Sequence, residues 1–180
     1  PCKNVWIHDC KVFDAHGGFV IGSEMSRGVK DVLVENCTFI GTDIGVRFKS
    51  AIGRGGVVKD ITIKNIMMAN IIEEAFIFTM GYVLRNIETE KTDEMKNSNL
   101  EDIPEFKDIR CENIICNGAK LGIKINGLDE LPIHDITFKN IDIYCEKDYE
   151  LQKCKDIKFE NVNIYMPSKM TVLNEENISE

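Results

Sequence analysis

One ten-residue pattern recurs six times along this 180-residue chain. It reads KNVWIHDCKV at 3–12, KDVLVENCTF at 30–39, KDITIKNIMM at 59–68, KDIRCENIIC at 107–116, HDITFKNIDI at 134–143 and KDIKFENVNI at 155–164. Each copy opens on a basic residue and an Asn or Asp. It then alternates apolar with polar, meets a second Asn or Asp, and alternates again. A period of two marks a β-strand that turns its apolar side chains to one face. The second Asn or Asp (Asp9, Asn36, Asn65, Asn113, Asn140 and Asn161) interrupts the alternation at a fixed place. These residue types tolerate the left-handed backbone that a one-residue corner requires. Each copy therefore predicts two short strands meeting at a bend.

The copies begin 27, 29, 48, 27 and 21 residues apart. Four of the coils contain one more short apolar strand: GFVIG at 18–22, GVRFK at 45–49, AFIFT at 75–79 and LGIKI at 121–125. Three strands in every turn of 20–30 residues predict an all-β parallel β-helix of about six coils. Its coils would stack about 4.8 Å apart around one continuous core. Residues 1–180 then form a single domain. Amphipathic helices fail, because the apolar spacing is two rather than 3.6. An antiparallel sandwich is the other reading, but Asn-Gly hairpin signals between paired strands are rare. The 48-residue interval contains LRNIETEKTDEMKNSNLEDIPE at 84–105, with seven acidic and three basic side chains, which predicts a polar loop insertion. It reads either as a solvated connection or as the lip of a groove. The tail at 168–180, SKMTVLNEENISE, is expected to cap the C-terminal end or to fray.

Composition narrows the function. The net charge of −8 argues against nucleic acid as a partner, because that needs a broad basic surface. No apolar run approaches the roughly 20 residues that cross a bilayer, so no membrane contact is expected. The first residues, PCKNVWIHDC, carry no basic-then-apolar leader pattern. Seven cysteines cannot pair completely within one chain, and none forms a CxxC set, so they read as mostly buried thiols and no metal site is expected.

The third strands carry the candidate site. If Val46 and Phe48 face the core, Arg47 and Lys49 project outward together, about 7 Å apart. Two cations fixed on one exposed strand suit an anion. The Arg fork can donate two parallel hydrogen bonds to a carboxylate, and Lys adds a point charge. His16 lies one coil earlier and Tyr82 one coil later, on roughly the same side. Gly17 and Gly18 read either as a turn needing positive φ or as a place where a ligand approaches bare backbone. GRGG at 53–56 invites the same pair of readings, with Arg54 a further cation at the groove edge.

These residues resemble glycoside hydrolase family 28, the polygalacturonases, and especially its bacterial exo-acting members. The match is dense over residues 1–83 and rests on HGGFVIGSEMSRG, on GTDIGVRFKS and on RFK standing for the family's Arg-Ile-Lys. The resemblance implies a right-handed parallel β-helix that hydrolyses α-1,4-galacturonan, the backbone of pectin, by inversion and without a cofactor. It makes His16 an active-site residue, Arg47 and Lys49 the substrate-carboxylate pair, and Tyr82 and Gly17 substrate-binding positions. It also favours a periplasmic or secreted protein over a cytoplasmic one. Ala15 and Phe48 are mild departures from the family pattern.

One departure is severe. The family's catalytic carboxylates come from an Asn-Thr-Asp motif and an Asp-Asp pair upstream of the histidine, and neither motif is present here. Asp14, Glu24 and Asp43 lie nearby but match no catalytic position. The chain therefore reads as the C-terminal portion of a longer enzyme, without turnover of its own. Self-association through its open N-terminal end is expected. The alternatives are a Ca²⁺-dependent lyase of the same fold and a β-helix that only binds acidic polysaccharide.

Overall fold

The computed structural model describes residues 1–81, 102–174 and 176–179. Its strands are β1 (Cys2–His8), β2 (Lys11–Phe13), β3 (Phe19–Ile21), β4 (Val29–Ile40), β5 (Val46–Lys49), β6 (Val57–Ala69) and β7 (Glu74–Thr79). They continue as β8 (Glu105–Phe106), β9 (Ile109–Asn126), β10 (Ile133–Gln152), β11 (Cys154–Tyr165), β12 (Met170–Leu173) and β13 (Glu176–Ile178). The order β1-β4-β6-β9-β10-β11 is parallel throughout, and a further wall runs parallel through β3, β5, β7 and the second half of β9. This is the right-handed parallel β-helix, with each crossover supplied by the chain's own next coil.

The repeat sets the register. Val5, Val32, Ile61, Ile109, Ile136 and Ile157 align strand by strand as one inward column. Cys37, Ile66, Ile114, Ile141 and Val162 form a second column on the next wall. On the third wall Ile21, Phe48, Phe78, Ile125 and Leu151 align, and the Phe48 and Phe78 rings stack with centroids 4.8 Å apart. Alternation thus becomes a core built from like residues one coil apart.

The corners follow the expected chemistry and extend it. Asp9, Asn36, Asn65, Asn113, Asn140 and Asn161 all have left-handed backbone, with φ between 52° and 55°. The first Asn or Asp of each copy is a corner too: Asn4, Asp31, Asp60, Asp108, Asp135 and Asp156 have φ between 50° and 57°. Every copy therefore bends twice, not once. At the second corner the amides join into a ladder. Asn65 donates to Asn36, Asn113 to Asn65, Asn140 to Asn113 and Asn161 to Asn140, each at 3.1–3.2 Å.

Two elements escape a reading by apolar pattern. The second half of β10, which ends in EKDYELQ, aligns Tyr149 with Ile123 and Leu151 with Ile125, giving the fifth coil a third strand that its charged composition conceals. The C-terminal tail forms β12 and β13, which both pair antiparallel with β11 and close that end. Most of the polar insertion lies outside the described residues. Where the description resumes, the Asp102 carbonyl accepts from Gly53 and Gly55, and Ile103 is buried.

The seven cysteines form no disulfide, and five of them are buried. Burial pushes the Cys116 thiol up to about 12 and Cys145 up to about 11, and it raises Cys111 as well. Iodoacetamide at pH 8 is expected to alkylate exposed Cys2 and Cys10 well before Cys111, Cys116 and Cys145, as read by peptide mass mapping.

The corner also gives a stability test. Asn113→Ala loses the ladder amide and places an alanine in left-handed backbone, which should cost about 2–3 kcal/mol. Asn113→Gly loses only the amide and should cost about 1 kcal/mol. Urea midpoints of the two variants check the difference; equal losses would rule out the backbone term.

Candidate functional site

The site is a product of coil stacking. Val46 and Phe48 are fully buried, so alternation sends Arg47 and Lys49 outward from β5 on one side of the wall. In the ladder Arg47 lies between Val20 of β3 and Ile77 of β7, and Lys49 is aligned with Thr79. His16 belongs to the turn that leads into β3, and its side chain is 75% exposed. Arg47 Nη1 lies 3.1 Å from His16 Nε2, so imidazole and guanidinium meet across two successive coils. His16 and Arg47 are thereby brought into contact, and Lys49 follows two residues along the same face of β5. Tyr82 lies outside the described residues.

A fourth group completes the cluster. Asp43 Oδ2 sits 2.6 Å from His16 Nδ1. Nothing in the local motif marks this aspartate, but the coil period does. Asp43 follows His16 by 27 residues, the interval that aligns Cys2 with Val29 and Lys11 with Thr38. The backbone holds it from both sides: its N–H donates to the Ala15 carbonyl at 2.9 Å, and its carbonyl accepts from Glu73 N–H at 2.8 Å. One coil further on, Glu73 engages Lys120 Nζ at 3.0 Å. A line of polar pairs therefore runs down this corner from His16.

The glycines beside the histidine have a different cause from a turn. Neither Gly17 nor Gly18 has positive φ. A Cβ on Gly17 would meet the Val20 side chain at 2.5 Å, and one on Gly18 would run into the Phe39 ring and the Gly45 carbonyl oxygen. Close packing against the next coil thus demands glycine at 18, whereas Gly17 crowds only the exposed Val20 side chain of its own coil. The turn reading holds instead for Gly53, Gly55 and Gly56, all with positive φ. Arg54 within that turn is not a groove-edge cation at large: its guanidinium pairs with the Glu24 carboxylate of GSEMS and is mostly buried.

The sequence model of the glycosyl hydrolases family 28 matches residues 1–177. The chain belongs to family 28. It is 36% identical to an exo-poly-α-D-galacturonosidase of Dickeya chrysanthemi over 86 residues, covering 48% of this chain and 14% of that protein. It is 27% identical to a probable polygalacturonase of Vitis vinifera over 145 residues, covering 80% of this chain and 28% of the other. The crystal structure of a hyperthermoactive exopolygalacturonase from Thermotoga maritima superposes with a TM-score of 0.73 at 23% identity, over 97% of this chain and 37% of that one. The family 28 chain thus spans between about a seventh and two fifths of the length of these relatives.

Within this family 28 chain the Gly18 contact is open to test. Gly18→Ala forces a methyl group against Phe39 and the Gly45 carbonyl and is expected to lower stability by about 1–3 kcal/mol. A fall in thermal midpoint checks it, and an unchanged midpoint would show that the coils separate freely at this corner.

Proposed function

We propose that this chain supplies the galacturonate-binding wall and the active-site histidine of a polygalacturonase acting on pectin. The observation that carries the reading is the contact between His16 and Arg47 beside Lys49, on the outer face of a family 28 β-helix. A galacturonate carboxylate laid along β5 would take paired hydrogen bonds from the Arg47 guanidinium and a point-charge contact from Lys49. That fixes the sugar ring over His16. The exo- and polygalacturonase names of its relatives agree with a polyanionic sugar as substrate.

Inverting hydrolysis needs two carboxyl groups on opposite sides of the scissile bond. One protonates the leaving oxygen and the other activates water. Three carboxylates of these coils are already engaged: Asp43 by His16, Glu73 by Lys120 and Glu24 by Arg54. In this reading the chain binds and orients substrate, and the acid and base come from polypeptide outside these 180 residues. His16 contributes hydrogen bonding at the reacting centre.

The experiment pairs two measurements. Digalacturonate titrated calorimetrically into the protein is expected to bind, and Arg47→Ala is expected to weaken binding about 10-fold to 100-fold, the value of a charge-assisted pair. Polygalacturonate is expected to release no reducing ends with the isolated 180-residue chain, but to do so with the full-length protein. Arg47→Ala binding as tightly as wild type, or turnover by the isolated chain, would refute the assignment.

A further inference from the structure

We propose that Asp43 is the positioning residue for His16, locking the imidazole in one tautomer with its Nε2 lone pair aimed at Arg47. The inference rests on the functional reading above for its catalytic consequence, but not for its geometry.

The two contacts of the ring leave a single consistent arrangement. A carboxylate oxygen only accepts, so at 2.6 Å from Asp43 the hydrogen sits on Nδ1. A guanidinium only donates, so at 3.1 Å from Arg47 Nη1 the Nε2 atom offers its lone pair. Both partners select the neutral Nδ1–H form. A second proton on the ring would set Nε2–H against a guanidinium N–H. In histidine sites generally, the partner of one ring nitrogen decides what the other can do.

Asp43 is suited to the task by what surrounds it. Its backbone is clamped to the coils before and after, so its carboxylate origin is fixed relative to Ala15 and Glu73. Glu73, the acidic group one coil on, turns to Lys120 and therefore does not compete for the imidazole. The exposure of the pair, 75% for His16 and 45% for Asp43, makes it a weak stabiliser of the fold. An exposed imidazole is otherwise free to rotate about χ2, and the carboxylate removes that freedom. When a sugar carboxylate draws on Arg47, the ring stays in place with Nε2 presented to the same spot.

The test uses the nitrogen resonances of His16 in the folded protein at a pH where the ring is neutral. Wild type is expected to give the Nδ1–H pattern, Asp43→Ala a mixture with the Nε2–H form, and Asp43→Asn, which keeps an accepting oxygen, the wild-type pattern. In the full-length protein Asp43→Ala is expected to lower kcat on polygalacturonate about 10-fold to 100-fold, with KM changed by less than about 2-fold. A wild-type ring in the Nε2–H form, an Asp43→Ala spectrum identical to wild type, or an unchanged kcat would each overturn the proposal. Absence of polygalacturonate hydrolysis by the wild-type full-length protein would instead sink the functional reading, while the nitrogen spectra still decide the role of Asp43.

Discussion

A left-handed residue at each corner is the constraint on which everything else here depends. For most L-residues that backbone costs about 1–2 kcal/mol, and Asn and Asp bear it best among residues with a side chain. Placing them at the same offsets in six copies makes every coil turn at the same points. Coils that turn together stay in register. Registered coils put like residues above like, and the columns of Ile, Val and Phe follow from that. The amide ladder then ties the second corners from Asn36 to Asn161 one to the next at 3.1–3.2 Å, outside the core and in water. Its individual bonds are modest, but the same geometry recurs in every coil, so the contributions accumulate in a nearest-neighbour fashion.

Function enters as a consequence of that register. Groups far apart in sequence but one period apart become neighbours, and a rigid scaffold holds them. His16 and Asp43 come from successive passes through the same corner, and Arg47 comes from the strand that follows it. Alternation along β5 does the rest, because burying Val46 and Phe48 obliges Arg47 and Lys49 to face out. Glycine at 18 permits this close approach by leaving room for the Phe39 ring and the Gly45 carbonyl. A cationic outer face and a packed interior are thus two sides of one strand.

Much of this was legible before any coordinates. The period of two, the corner asparagines and the outward direction of Arg47 and Lys49 can be read directly from the repeats. What escaped did so for physical reasons. The first Asp of each copy also bends the chain, yet Asp after Lys is so ordinary a surface pair that composition alone hides it. The third strand of the fifth coil carries only Tyr149 and Leu151 as apolar residues, so its pairing with β9 comes from the neighbour it lies on and not from its own pattern. Arg54 looked like an exposed cation because nothing local reveals the Glu24 carboxylate that holds it.

Local chemistry by itself therefore determined the architecture, the direction of each side chain along a strand and the outward pairing of Arg47 with Lys49. Those properties depend on residues two, five or ten apart, within reach of periodicity. Only the tertiary structure decided which ring nitrogen of His16 meets which partner, that Asp43 is one of them, and why Gly18 bears no side chain. Each of these is a contact between coils at ångström precision, set by how two turns of the solenoid settle on one another.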